Sequence, residues 1–251
     1  MASRAVERWA SDGVLIAGGA RAILLQVADP VVAAGVARHS DFAHRPVERL
    51  RNTLTFAYAV VLGTAEDAVA VAASVTRRHA PVNRAADEHL QLWVAATLYD
   101  TAVRVHERVY GVTPDALADE LYADYARLGT TLDMPAELWP PTRAAFASYV
   151  DQRMTELEVT DDARQIAYDL FAPITAPAWL RAGLPLGRRL TLELLPPQLR
   201  SAYGFDWTER DQRRAARAWG VIRFLARITP QRLRSWPYRH CLKRLRAENS
   251  G

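Results

Sequence analysis

The stretch DEHLQLWVAATLYDTAVRVHERVY, residues 87–110, decides the fold class. Its apolar and threonine side chains recur at the spacing of an α-helix and therefore share one side. The residues near that side are Leu90, Trp93, Val94, Thr97, Leu98, Thr101 and Val105. Gly111 follows directly, and glycine often stands just after the end of a helix. The chain has no convincing alternation of apolar and polar residues at period two, so we predict an all-α fold.

The same periodicity continues on both sides of this central helix. Further helices are predicted at 14–27, 31–38, 46–62, 65–79, 114–129, 141–157, 160–171, 188–195 and 208–228. Thr64 and Thr113 are expected to be N-caps, with Pro114 in the first helical position after Thr113. Residues 172–186 contain three prolines and are predicted to form a loop or a broken helix. A chain of 251 residues is long enough for one globular helical domain.

Gly18 and Gly19 are adjacent inside the predicted helix 14–27. Each glycine lowers helix stability by about 1 kcal/mol relative to alanine. Two of them together indicate that something approaches the backbone closely. Tight packing of another helix and the presence of a cofactor both explain such an approach, and the sequence leaves the two open.

Composition excludes several classes of protein. The longest apolar runs, such as Val14–Ala20 and Leu54–Leu62, are shorter than the roughly 20 residues that span a bilayer. The charged start MASRAVERWASDG lacks the apolar segment of a signal peptide, so a cytoplasmic location is expected. Cys241 is the single cysteine, which excludes an internal disulfide and a thiolate cluster for a metal.

Charge is distributed unevenly along the chain. Residues 1–180 have 16 basic and 23 acidic residues, whereas residues 181–251 have 16 basic and 5 acidic residues. The second part therefore has a net charge of +11. We recognise no nucleic-acid-binding module in the sequence, so we do not expect nucleic acid as a partner. Peripheral contact with a membrane through the basic C-terminal region, a solvated helical face and an oligomer contact all remain open.

Common catalytic motifs are missing from the sequence. We find no nucleophile elbow, P-loop or dinucleotide-binding turn. A di-iron site needs Glu-x-x-His pairs on facing helices, and no glutamate is followed by histidine at that spacing. The first half of the chain contains five histidines, His39, His44, His79, His89 and His106. One imidazole is enough to bind haem iron when helices form an apolar slot, but these arguments favour none of the five.

Several motifs occur in a fixed order between residues 14 and 155. They are Gly18-Gly19-x-Arg21, Asp29-Pro30, His39-Ser40-x-Phe42, Pro46-x-x-Arg49-Leu50-x-x-Thr53-x-x-Phe56, Gly63-Thr64, His79-x-x-Val82 and Leu92-Trp93-Val94-x-x-Thr97-Leu98-x-Asp100. Together they resemble the MpaB-type oxygenases, a family that includes the latex-clearing rubber oxygenases and is also called domain-of-unknown-function family 2236. Beyond residue 157 the resemblance is slight.

The resemblance implies a helical fold with one b-type haem sandwiched between helices. It assigns His79 as the ligand of the haem iron. On the opposite side of the haem, the family's Arg-x-x-x-Thr pair falls on Arg49 and Thr53, which one helical turn separates. Arg21 and Phe56 are expected to line the pocket. Outside such a pocket, Arg49 would form a surface salt bridge and Thr53 would bond the carbonyl groups of its own helix.

The sequence departs from the latex-clearing branch at two positions. That branch has a lysine beside the distal threonine, where this chain has Asn52. The glutamate proposed as the catalytic base in that branch corresponds to the region of Ala33 and Ala34, where this chain has no glutamate. Cleavage of rubber itself is therefore not expected. Ala95 stands where many relatives have a second histidine, which leaves His79 with less competition in that part of the chain.

These observations favour a haem-dependent oxygenase that uses O₂ on a hydrophobic substrate, isoprenoid-like or lipid-like. The alternative is a non-catalytic haem-binding or helical interaction protein whose basic C-terminal region contacts a partner or a membrane. In either case we expect residues 1–160 to form the haem-binding core. Residues 161–251 are expected to be a basic helical extension packed on the same domain.

Overall fold

The computed structural model describes residues 2–39, 46–79, 87–173, 175 and 177–249. Over these residues the chain forms helices and no strand, which confirms the all-α prediction. The α-helices are α1 (Arg4–Ala10), α2 (Gly19–Val27), α3 (Pro30–His39), α4 (Pro46–Leu62), α5 (Ala65–His79), α6 (Glu88–Tyr110), α7 (Asp115–Thr130), α8 (Arg143–Glu156), α9 (Asp161–Phe171), α10 (Ala178–Leu194), α11 (Pro197–Ala202), α12 (Glu209–Ile228), α13 (Gln231–Arg234) and α14 (Trp236–Asn249). Two further segments, Gly13–Gly18 and Ala136–Leu138, are 3₁₀ helices.

Most of the predicted helices end within one or two residues of their predicted limits. Helix α4 has the predicted bounds. Helix α6 begins directly after Asp87, whose carboxylate accepts hydrogen bonds from the amides of His89 and Leu90. Helix α12 begins after Thr208, which forms a reciprocal cap with Asp211. At these two helix starts the local signal holds because the capping side chains bind neighbouring amides.

Two local predictions are wrong. Helix α10 begins inside the segment 172–186, which was expected to be a loop or a broken helix, and it continues through Pro185. The apolar residues in its second half are buried, and that burial outweighs the cost of one interior proline. The N-cap of α7 is Pro114 rather than Thr113. The hydroxyl of Thr113 instead accepts a hydrogen bond from the indole of Trp9, so a tertiary contact replaces the predicted cap.

Helices α4 and α5 form a pair joined by the short turn at Gly63 and Thr64. Asp67 and Thr64 cap the start of α5 reciprocally, since each side chain accepts a hydrogen bond from the other's amide. Arg246 of α14 donates to both oxygens of Asp67, at 2.7 and 3.0 Å. Because α14 packs along both α4 and α5, the C-terminal helix holds the closed end of this helix pair.

Helix α6 lies at the centre of the packing. Helices α2, α7 and α12 and the 3₁₀ segment Gly13–Gly18 all contact it. Trp93 is completely buried, and its indole donates a hydrogen bond to the carbonyl of Leu25 in α2. Helix α10 contacts α2, and helix α12 contacts α6. Helices after residue 160 therefore pack on helices before it. A division of the domain at residue 160 stays a prediction.

The glycine pair at the start of α2 is explained by this packing. A Cβ atom on Gly18 would lie 2.4 Å from Cγ2 of Thr101 and 2.8 Å from Cγ2 of Val105, both in α6. The nearest atom to a Cβ atom on Gly19 would be 4.0 Å away. Tight helix packing therefore accounts for Gly18, whereas Gly19 has no such neighbour.

A buried ion pair joins α2 to α6 next to this contact. The side chain of Arg21 is 1% exposed, and its Nη2 lies 2.7 Å from the carboxylate of Asp100. Its Nη1 donates to the hydroxyl of Thr101 and its Nε to the carbonyl of Leu194 in α10. Arg104 also binds Asp100, from the solvent side. All three nitrogens of the buried guanidinium therefore have acceptors, as a buried charge requires.

Within the described ranges, no single helix is long and apolar enough to cross a membrane. One bent pair of segments, Arg4–Ala10 with Gly13–Val27, passes that test by length and composition. Both segments contribute residues to the hydrophobic core, among them Val6, Trp9, Leu24 and Leu25.

We expect Gly18→Ala to destabilise the protein and Gly19→Ala to have little effect or to stabilise it slightly. The new Cβ atom at Gly18 would overlap two side chains of α6, which costs about 1–3 kcal/mol in a packed interior. The free energy of unfolding in urea measures the difference. Equal stabilities for the two variants would contradict the packing explanation.

We expect Asp100→Asn to lower the free energy of unfolding by about 3–5 kcal/mol, because it leaves the Arg21 guanidinium buried without a counter-charge. Urea denaturation of Glu209→Gln provides the control, since that substitution removes an ion pair with Arg213 that is largely exposed. A midpoint for Asp100→Asn equal to that of Glu209→Gln would show that the pair is not structurally important.

Candidate functional site

Three of the predicted site residues share one face of α4. Arg49, Thr53 and Phe56 are separated by four and three residues, the spacing that places side chains on one side of a helix. The opposite side of α4 packs against α14, where Thr55 contacts Cys241 and the ring of Tyr58 lies 5.6 Å from that of Tyr238. The C-terminal helix therefore covers one side of α4 and leaves the side with the predicted site residues to other neighbours.

Solvent exposure varies along this face. Arg49 is half-buried, Thr53 is exposed, and Phe56 is buried in the hydrophobic core. Burial lowers the pKa of the Arg49 guanidinium to about 10. The face thus presents a desolvated cation, an accessible hydroxyl and an apolar ring in sequence along the helix. The guanidinium and the hydroxyl can interact with an anionic group, while Phe56 anchors this side of α4 in the hydrophobic core.

His79 is the last residue of α5, and its side chain lies outside the described part of the structure. Arg49 stands thirteen residues before the end of α4, and His79 stands fourteen residues after the start of α5. At a helical rise of 1.5 Å per residue, both lie about 20 Å from the turn that joins the two helices. Arg49 and His79 therefore lie at the same end of the α4–α5 pair. We call it the open end because the turn that joins the two helices is at the other end.

Arg21, the fifth predicted site residue, lies in the buried ion pair with Asp100 and not on the α4 face. Desolvation lowers the pKa of its guanidinium, and the charge of Asp100 acts in the opposite direction. Its contacts with Asp100, Thr101 and Leu194 explain the residue structurally. A role for Arg21 in lining a cofactor pocket stays a prediction, and it is not needed to account for the residue.

The structure gives two of the other four histidines a defined environment. His106 is stacked on Trp9 at a ring distance of 4.6 Å, contacts the ring of Tyr110 and lies beside the hydroxyl of Thr113. Burial lowers its pKa to about 4, which keeps the imidazole neutral in this aromatic cluster near neutral pH. His89 is exposed in the first turn of α6. The side chain of His39 and the whole of His44 lie outside the described residues.

The described side chains contain no group of three or more His, Cys, Asp or Glu residues that could hold a metal ion. A haem site differs from such a cluster because a single imidazole supplies the protein ligand and the macrocycle supplies the rest. The role of His79 as an iron ligand therefore stays a prediction.

A second feature, not predicted from the sequence, is a polar cleft of about 640 Å³ between α6, α10 and α12. Its charged lining residues are Arg104, Glu107, Arg108, Glu193, Arg223 and Arg227. Glu193 accepts a hydrogen bond from Arg108 at 2.9 Å and another from the indole of Trp219 at 3.0 Å. The i,i+4 spacing of the arginines within α6 and within α12 is the signal that could have indicated it. The cleft lies at the C-terminal end of α6, away from the open end of the α4–α5 pair.

Comparison with known proteins places the chain in a family. The model of the family described as "ER-bound oxygenase mpaB/B'/Rubber oxygenase, catalytic domain" matches residues 6–224, well beyond the motifs between residues 14 and 155. Two proteins described as uncharacterized, Rv2237 of Mycobacterium tuberculosis and Mb2261 of Mycobacterium bovis, are each 33% identical over 224 residues. The alignments cover 84% of this chain and 88% of each relative. No solved structure matches. The chain therefore belongs to the family of MpaB-type and rubber oxygenase catalytic domains.

Proposed function

We propose that the protein is a haem-dependent oxygenase that acts on a hydrophobic substrate, isoprenoid-like or lipid-like, with His79 as the iron ligand. Membership of an oxygenase family supports the general reaction class. The observation that carries the proposal is the α4 face, where Arg49, Thr53 and Phe56 follow one another near the end of the helix pair at which α5 ends with His79. The b-type haem would lie against this face.

The described residues fit such a group in charge and in polarity. A haem carries two propionate carboxylates on an otherwise apolar macrocycle. The guanidinium of Arg49 is desolvated, and a desolvated cation gains more from an approaching carboxylate than an exposed one does. Phe56 lies one helical turn beyond Thr53 and ends this face in the hydrophobic core, so the surroundings of the face become apolar in that direction. The donor set on α4 is thus suited to the two kinds of surface that a haem presents.

When bound, the haem would supply the iron at which O₂ is activated. The protein residues have other tasks. Arg49 would hold a carboxylate or another negative oxygen through its guanidinium. The hydroxyl of Thr53 would donate a hydrogen bond to an oxygen atom beside it. The apolar part of the face would hold the hydrophobic substrate and keep water away from it.

Asn52 limits the chemistry that this face can perform. The latex-clearing branch has a lysine at this position, whereas an asparagine amide is neutral and cannot supply a cation or a titratable proton. Arg49 and Thr53 are then the polar groups of this stretch that would contact a bound oxygen or carboxylate. We accordingly propose a hydrophobic substrate other than rubber.

The first test is the absorption spectrum of the purified, haem-supplemented protein. We expect a Soret band in the wild-type protein and the loss of most of it in His79→Ala, because the imidazole is the proposed ligand. His89→Ala is the matched control, since His89 is exposed and starts the helix that follows His79 in the chain. Full haem occupancy in His79→Ala, or no Soret band in any variant, would contradict the assignment.

The second test uses a pair of threonines on opposite sides of α4. We expect Thr53→Val to lower haem-dependent O₂ consumption with an alkene or lipid substrate by about tenfold to a hundredfold, because one donor to a developing charge is lost. Thr55→Val should change it little, since Thr55 faces Cys241 under the C-terminal helix.

Haem occupancy, measured by absorption, should be equal in the two threonine variants. Equal rates would remove Thr53 from the proposed chemistry. A haem-replete wild-type protein that consumes no O₂ with a broad panel of lipids would instead favour a non-catalytic haem-binding protein.

A further inference from the structure

Helix α12 exposes an apolar stripe to solvent. Val221, Phe224, Leu225 and Ile228 are 58, 62, 49 and 60% exposed. Their spacing of three, four and seven residues places them on one side of the helix. The opposite side is buried, where Trp219 is completely inaccessible and forms part of a hydrophobic cluster. The stripe is therefore not the core-facing side of the helix.

Exposed apolar residues continue beyond the end of α12. Leu233 in α13 is 64% exposed, and Trp236 at the start of α14 is 58% exposed. Isolated exposed apolar residues are common on protein surfaces, but a continuous stripe on one helix marks an interaction site. The large size of Phe224 and Ile228 makes their exposure to water costly.

The first half of α12 gives the same side of the helix a positive charge. Four exposed arginines, Arg210, Arg213, Arg214 and Arg217, lie within the arc of the helix that carries the stripe. Glu209 pairs with Arg213, and the other three have no carboxylate within salt-bridge distance among the described residues. The α12 surface, defined as these four arginines with Val221, Phe224, Leu225 and Ile228, combines a cationic half with an apolar half.

We propose that the α12 surface binds an anionic lipid bilayer face-on. An amphipathic helix with arginines and large apolar residues on its exposed side binds in this way, because its apolar residues enter the boundary of the acyl chains and its cations contact the lipid head groups. Each arginine close to an anionic membrane adds to the electrostatic attraction. The net charge of +11 over residues 181–251 adds attraction at longer range.

The charge of this surface argues against a second copy of the chain as the occupant. A symmetric contact through α12 would bring the same surface of two molecules together. With the two helices antiparallel, the cationic half of one copy would pack against the apolar half of the other, which offers Arg210, Arg214 and Arg217 no counter-charge. An anionic lipid surface satisfies both halves of the helix. This inference rests on α12 alone and does not depend on haem binding at the α4 face.

Vesicle sedimentation tests the proposal with the full-length protein. We expect binding to vesicles of phosphatidylcholine and phosphatidylglycerol in a 7:3 ratio, weak binding to pure phosphatidylcholine, and weaker binding at high salt. The double substitution Phe224→Ser with Ile228→Ser should reduce binding to the anionic vesicles by at least about tenfold. Arg214→Gln with Arg217→Gln should reduce binding to anionic vesicles and leave the weak binding to phosphatidylcholine unchanged.

The control is Val69→Ser with Val112→Ser, which removes two apolar residues that are 70 and 87% exposed outside α12. It should bind like the wild-type protein, and circular dichroism should show unchanged helix content in all variants. Failure of the wild-type protein to bind anionic vesicles at low salt would overturn the proposal, as would equal binding by the Phe224 and Ile228 variant. Sedimentation of the wild-type protein as a dimer that this variant dissociates, without vesicles present, would assign the surface to a second copy instead.

Discussion

The buried ion pair between Arg21 and Asp100 is the interaction on which the arrangement of the central helices depends. Removing these two charges from water is costly, and the cost is offset only if every nitrogen of the guanidinium finds an acceptor. The acceptors come from α6 and from the end of α10, so the pair fixes both helices relative to α2. The close contact at Gly18 lies one helical turn away and would be lost if these helices separated. One polar group and one missing Cβ atom thus define the same helix crossing.

The helix pair that carries the candidate site is stabilised at the end opposite to that site. Asp67 caps the start of α5 and is also bound by Arg246 of α14, which joins the turn between α4 and α5 to the C-terminal helix. Binding residues commonly lie where a rigid scaffold ends. Arg49 and His79 stand about four turns from that fixed turn. The α4–α5 pair is therefore tied to the C-terminal helix at the end opposite to the predicted site residues.

The helices could be predicted from the sequence wherever the signal was local. The bounds of α4 and the starts of α6 and α12 agree with the predicted helices, and the side chains of Asp87 and Thr208 bind nearby amides at those starts. The second half of α10 falls within the predicted helix 188–195, whereas its first half, which runs through Pro185, could not be predicted from a segment with three prolines. For the candidate site, spacing alone placed Arg49 and Thr53 on one face. No local pattern could show that the contacts of Arg21 are all internal, since its acceptors lie 79, 80 and 173 positions further along the chain.

Substitutions on the two sides of α4 have different structural consequences. Thr55 and Tyr58 must stay complementary to α14, so changes there require matching changes in the C-terminal helix. Positions on the side of Arg49 and Thr53 do not face α14, so substitutions there need no matching change in the C-terminal helix. Asn52, which replaces the lysine of the latex-clearing branch, stands beside the second group. The side of Arg49 and Thr53 can therefore be altered without disturbing the packing of α14 on α4.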